Sequence, residues 1–156
     1  MKPISLTIEA FGPYRDSVTL DFSKLENHSM FLISGSTGAG KTSILDAMVY
    51  ALYGEPSGEV RKTDAIRSDF AEPERMTRVD FSFAIGDAQY RVERLPKQMV
   101  AKKRGTGMRE QNASATVYEM KAGEWKIVAT SAAAVRDTIQ RIIGFRKDQF
   151  LQVVLL

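Results

Sequence analysis

Apolar and polar residues alternate in steps of two over several short stretches of the chain. Ile4, Leu6 and Ile8 alternate with Ser5, Thr7 and Glu9, the pattern of a half-buried strand. Gly12-Pro13 turns the chain, and Val18 to Phe22 alternates again as a hairpin partner. Val79, Phe81, Phe83 and Ile85 form a second such run, followed across Gly86-Asp87 by Tyr90, Val92 and Leu95. Ala115–Met120 and Trp125–Val128, joined through Lys121 to Glu124, make a further hairpin. Elsewhere the period lengthens. Ile44, Leu45, Met48, Ala51 and Leu52 put one apolar stripe on a helix that Gly54 ends and Pro56 keeps from resuming. Ser131 caps a second helix with Val135, Ile139, Ile142 and Ile143 on its inner face, closed by Gly144. Two uncharged apolar runs, Phe31-Leu32-Ile33 and Val153 to Leu156, read as buried parallel strands, and Lys147 to Gln152 as a short helix between. An apolar strand at the last residue marks the chain as a fragment. The fold class is α/β: a mixed sheet with antiparallel β hairpins.

Chemistry enters between the run at 31–33 and the first helix. Gly35-Ser36-Thr37-Gly38-Ala39-Gly40-Lys41-Thr42 fits the phosphate-binding loop pattern G-x-x-x-x-G-K-[ST], in the strand–loop–helix setting that the pattern requires. Glycines let this backbone approach phosphates, and the amides from Gly38 to Ser43 form an anion nest at a helix N-terminus. Lys41 is the catalytic cation, placed for the β- and γ-phosphates of ATP, and the Thr42 hydroxyl is the protein ligand for Mg²⁺. Ser43 adds a hydroxyl for the α-phosphate.

Composition narrows the rest. The 156 residues, 44% of them hydrophobic, suffice for one domain. The absence of cysteine rules out disulfides and thiolate metal sites and agrees with a cytoplasmic location. No apolar run is long enough to span a membrane, and the lone His28 has no partner for metal or catalytic work. The net charge is +3. It is concentrated in Pro96 to Gln111, where Lys97, Lys102, Lys103, Arg104 and Arg109 face Glu110 alone, leaving the remainder slightly negative. This stretch reads as a long loop or hairpin tip, either solvated or touching DNA phosphates.

The order of an opening strand, FGPY, a strand ending in DF and LISGSTGAGKTSILDAMVYALYGE resembles the N-terminal ATPase segment of SbcC-type exonuclease subunits. These are SMC-like members of the ABC ATPases. DAIRSDFA, the hairpin VDFSFAIGDAQYRVER and the terminal IIGFRKDQFLQVVLL extend the likeness from Met1 to Leu156. The resemblance implies the N-terminal lobe of an ABC-type head, completed by a C-terminal half beyond a coiled coil. It also implies Arg67 and Ser68 as nucleotide contacts. Partners implied are DNA, an SbcD-type nuclease subunit and a second head joined head-to-head on ATP binding, in double-strand break processing. Archaeal and eukaryotic relatives carry an arginine after the first strand and an asparagine in the loop. Gly12 and Thr37 stand in those places, so the contacts of those side chains do not carry over. The alternatives are an SMC-like lobe that only links DNA and a small nucleotide kinase. No acidic pair for Mg²⁺ and water follows an apolar strand: Asp21 and Asp80 sit on alternating strands, and Asp46 on the loop's helix points away. The resemblance places that pair, a glutamine loop and a signature segment outside residues 1–156. Gln149 and Gln152 do not replace them.

Overall fold

A computed structural model describes residues 1–25, 32–57, 66–102 and 106–154. Strands β1 (Lys2–Glu9) and β2 (Val18–Asp21) precede helix α1 (Lys41–Tyr53). Then come β3 (Arg78–Ile85), β4 (Ala88–Leu95), β5 (Gln98–Ala101), β6 (Met108–Gln111), β7 (Ser114–Lys121) and β8 (Glu124–Ala129), followed by helices α2 (Ala132–Ile143) and α3 (Lys147–Val154). Six strands form one sheet in the order β2-β1-β3-β4-β7-β8, and every pairing described in it is antiparallel. The register lines up one apolar row across it: Leu20 opposite Leu6, Leu6 opposite Phe81, Phe81 opposite Val92 and Val92 opposite Val117. Strand alternation puts that row on a single face, so α1 and α2 can cover it. Ile44, Ala47, Met48, Ala51 and Leu52 of α1 and Val135 and Ile139 of α2 join it in one buried cluster. The other face is polar. There Asp80 accepts from Arg91 Nε at 2.9 Å and from Arg78 at 3.1 Å, and Arg78 also pairs with Glu93 at 2.6 Å.

The helix ends are where the sequence signals place them. Ser131 Oγ accepts the Ala134 N–H at 3.2 Å at the start of α2, and Gly144, at φ 80°, donates its N–H to the Gln140 carbonyl at its end. Ser131→Ala leaves a first-turn amide without this acceptor. It is expected to lower stability by about 1 kcal/mol, read as a shift of the urea midpoint with an unchanged m value. At the end of α1, Gly54 takes φ 81° and donates to the Tyr50 carbonyl at 2.8 Å. The next two carbonyls, of Ala51 and Leu52, accept from the guanidinium of Arg94, which β4 sends through the covered face at 2.9 and 3.3 Å.

Two expectations are corrected. Residues 32–36 form no strand, and Leu32 is 88% exposed, although Ile33 packs on the core. A buried parallel strand needs neighbours beside it, whereas the described sheet is built of antiparallel pairings and none of them includes this segment. Phe31 and the polar residues 58–65 lie outside the described residues, as does His28. Val153 and Val154 likewise belong to α3 rather than to a strand. Gln149 Oε1 caps that helix by accepting the Arg146 N–H at 3.0 Å, and Phe150 anchors it, buried, with its ring 5.6 Å from that of Tyr53. Leu151 also packs, partly buried, against the core. Leu155 and Leu156 lie outside the described residues. The basic stretch is a hairpin, β5 against β6, and residues 103–105 lie outside the described set.

Candidate functional site

The phosphate-binding loop leads directly into α1, and Gly40 is the residue before its first turn, at φ 87°. That left-handed conformation is one that a side chain resists. There is also no room for one: a Cβ on Gly40 would lie 2.9 Å from Pro13 Cγ and 3.0 Å from the Tyr14 hydroxyl. The Gly40 carbonyl accepts twice, from the Ile44 N–H of the first helical turn and from the Tyr14 hydroxyl, both at 3.2 Å. Burial pushes the Tyr14 phenol above its ordinary value, so it stays protonated as a donor. No side chain caps α1, so the amides at its start face the loop.

Lys41 folds back over this loop, its ammonium donating to the Gly35 carbonyl at 2.7 Å and the Ser36 carbonyl at 2.8 Å. A cleft of about 700 Å³ opens beside it, lined by Gly12, Pro13, Thr37, Gly38, Gly40, Lys41, Thr42, Ser43, Arg67, Asp69 and Phe70. Gly35, Ser36 and Ala39 complete the loop behind these, with the Ala39 N–H donating to the Ser36 carbonyl at 3.2 Å. A cation, helix amides and hydroxyls on one concave surface suit an anionic, phosphate-bearing ligand.

The far side of the cleft depends on the end of β1. Ala10 takes φ 46° and breaks the strand, and Phe11 bridges to Arg67. The Gly12 N–H donates to the Ile66 carbonyl at 2.8 Å and the Ser68 N–H to the Ala10 carbonyl at 2.9 Å, which docks residues 66–68 beside the loop. Thr77, fully buried, adds its hydroxyl to the same Ala10 carbonyl at 3.0 Å, and the Gln98 amide clasps the Thr77 backbone through two bonds of 2.7 and 2.9 Å. Arg67 reaches the cleft wall, yet its guanidinium donates to the carbonyls of Arg75 at 2.6 Å and Glu72 at 2.8 Å. Ser68 is buried and lines a neighbouring cleft, between this segment and the β5–β6 hairpin. Its hydroxyl accepts the Phe70 N–H at 3.4 Å. Asp46 is buried as well and is tied to Ser57, through its hydroxyl and, at 3.2 Å, through its N–H. It braces α1 against the segment that follows the helix and is not among the residues lining the cleft.

Pro13, Tyr14 and Phe70 enter the site without having been singled out from the sequence. FGPY carried the resemblance, but nothing in the pattern shows a tyrosine reaching a glycine 26 positions on. Among the described residues no group of three or more histidines, cysteines and carboxylates could hold a metal ion by itself. The hydroxyl residues Thr37, Thr42 and Ser43 line the cleft, oxygen donors of a kind that suits Mg²⁺, which keeps several waters and takes phosphate oxygens with one or two protein ligands.

A nucleotide-binding α/β domain with a phosphate loop at a helix N-terminus is the class that fold and site define. The family described as "AAA domain" matches residues 5–156, and the chain belongs to it, a family of P-loop NTPases. Its similarity extends over the whole chain to proteins named as the SbcC component of the SbcCD nuclease. The proteins of Vibrio cholerae and Lactococcus lactis are each 42% identical, and that of Staphylococcus aureus strain MRSA252 is 38% identical. In each case the chain is covered completely and spans about 15% of the relative's length. No helix among the described residues is long and apolar enough to cross a membrane.

Proposed function

We propose that this chain binds ATP with Mg²⁺ as part of the ATPase head of an SbcC-type protein. That protein would work with an SbcD-type nuclease on DNA ends in the cytoplasm. The observation that carries this reading is the loop itself: Lys41, the first amides of α1 and the hydroxyls of Thr42 and Ser43 converge on one cleft. Lys41 would exchange the Gly35 and Ser36 carbonyls for β- and γ-phosphate oxygens. The loop backbone would wrap the phosphates, and Ser43 would reach the α-phosphate. Arg67 and Ser68 would contribute through the backbone they hold in place, since their side chains are engaged locally. Mg²⁺, held by Thr42, would neutralise charge developing on the phosphates. Catalysis of phosphoryl transfer rests on positioning and electrostatics. Hydrolysis therefore also needs the acidic pair and signature segment of a C-terminal half and of a second head, joined head-to-head.

The reading is tested on the full-length polypeptide together with its nuclease partner. ATP is expected to be required for degradation of duplex DNA ends, and Lys41→Ala to abolish both that degradation and ATP turnover. ATP-independent degradation by the wild-type complex would contradict it.

The β5–β6 hairpin is the candidate arm for DNA phosphates. Lys97 pairs with Glu110 at 3.0 Å, which leaves Lys102 and Arg109 as its other described cations, while Lys103 and Arg104 lie outside the described residues. Replacing Lys102, Lys103 and Arg104 by glutamine is expected to lower the log–log salt slope of DNA binding by nearly 3, at about 0.9 per lost phosphate contact. An unchanged slope assigns the hairpin to solvent.

A further inference from the structure

We propose that Phe70 is the base platform of the nucleotide site, its ring stacking on the base of the nucleotide whose phosphates the loop holds. The proposal rests on the phosphate-loop reading and names a further contact in the same cleft. Phe70 lines that cleft and is 71% exposed. A single exposed aromatic is unremarkable by itself; the way this one is held is not. The turn that carries it is fixed from three sides. Ser68, 2% exposed, accepts the Phe70 N–H through its hydroxyl at 3.4 Å and the Ala71 N–H through its carbonyl at 3.3 Å. Its own N–H is tied to Ala10, in the segment that carries Pro13 and Tyr14 onto Gly40. Arg67 closes the turn's other flank on the carbonyls of Glu72 and Arg75.

That last arrangement divides the cleft by chemistry. With the Arg67 guanidinium committed to carbonyls, the cationic part of the lining is Lys41 and the helix amides. Phe70 offers an aromatic face on the same lining, next to Asp69, while Pro13 packs against Gly40 of the loop. About 700 Å³ is the size of a pocket for a whole small molecule rather than for phosphates alone. A triphosphate on the cation and amides, with a flat base on the aromatic ring, matches this division. An exposed aromatic can take any base, since every base presents a π-face.

The test uses competition binding on the full-length polypeptide with three probes: ATP, GTP and inorganic tripolyphosphate. Phe70→Ala is expected to weaken ATP and GTP by roughly tenfold, as loss of one base–aromatic stack does, and to leave tripolyphosphate unchanged. Phe70→Trp should retain ATP affinity. Tripolyphosphate affinity reports the integrity of the loop, so a distorted site is recognised directly. Unchanged ATP affinity in Phe70→Ala overturns the platform, and so does an equal loss for ATP and tripolyphosphate. Lys41→Ala is run alongside and should weaken all three probes. If it weakens none, the phosphate-loop reading fails, and the platform with it.

Discussion

Replacing Lys41 with alanine weakens ATP binding by roughly ten- to two-hundred-fold, the equivalent of about 1.5–3 kcal/mol for a hydrogen bond to a charged group. The expected loss follows from what the ammonium does in the structure. It is already held over the loop by two carbonyls, at 2.7 and 2.8 Å, so its side chain is ordered near where the β- and γ-phosphates would lie. Little further ordering is needed when phosphate oxygens replace those carbonyls. Lys41→Arg should recover only part of the loss, because a planar fork does not reproduce a compact point charge in a tight loop. Stability should barely change, since Lys41 stands at the exposed start of α1 and makes no core contact. Calorimetry of ATP·Mg²⁺ binding to the full-length variant measures this. Wild-type affinity in Lys41→Ala would remove the site.

Arg94→Ala has the largest expected effect on folding, a loss of about 2–4 kcal/mol. Arg94 is partly buried against α1, where desolvation lowers its guanidinium from the ordinary value, partly offset by Tyr50. An arginine keeps its charge even so, and it must then be fully bonded to be tolerated. It donates to the carbonyls of Ala51 and Leu52 and stands 6.0 Å from the centre of the Tyr50 ring. Alanine leaves those two carbonyls without their donor at a buried helix end and opens a cavity beneath Gly54, whose added Cβ would meet Arg94 Nη1 at 2.8 Å. Because α1 carries the phosphate loop on its other end, the damage should also loosen the loop. For a domain of this size the loss corresponds to a fall in Tm of about 4–16 °C. Arg94→Lys should fall between, as one ammonium can serve one carbonyl well but not both. A variant melting with the wild type would show that the guanidinium is not the cap it forms in the structure.

Local rules made much of this fold legible. Alternation located β1 to β4, β7 and β8, and glycine and serine caps located both longer helices, because each of these signals acts within a few residues. The loop was legible for the same reason: its glycines, lysine and threonine are contiguous. What the sequence did not show depends on distant contacts. Nothing local reveals that Ala10 turns to φ 46° so that residues 66–68 dock beside the loop, or that Tyr14 seats itself on Gly40. Arg94 looked like one more charge on a hairpin strand, and only the helix across the sheet gives it a role. The apolar run around Leu32 suggests a strand by its composition and by its place before the phosphate loop. Apolarity states a demand for burial, and the described sheet offers that residue no neighbour.

The central claim, that the loop from Gly35 to Ser43 holds the phosphates, is tested most directly by hydrogen exchange on the full-length polypeptide with and without ATP·Mg²⁺. No side chain caps the amides at the head of α1, so bound phosphates should slow exchange from Gly38 to Ser43 strongly, and Lys41→Ala should need roughly ten- to two-hundred-fold more ATP for the same slowing. ATP binding seen by calorimetry, with exchange in this segment unchanged and protection elsewhere, would contradict the account.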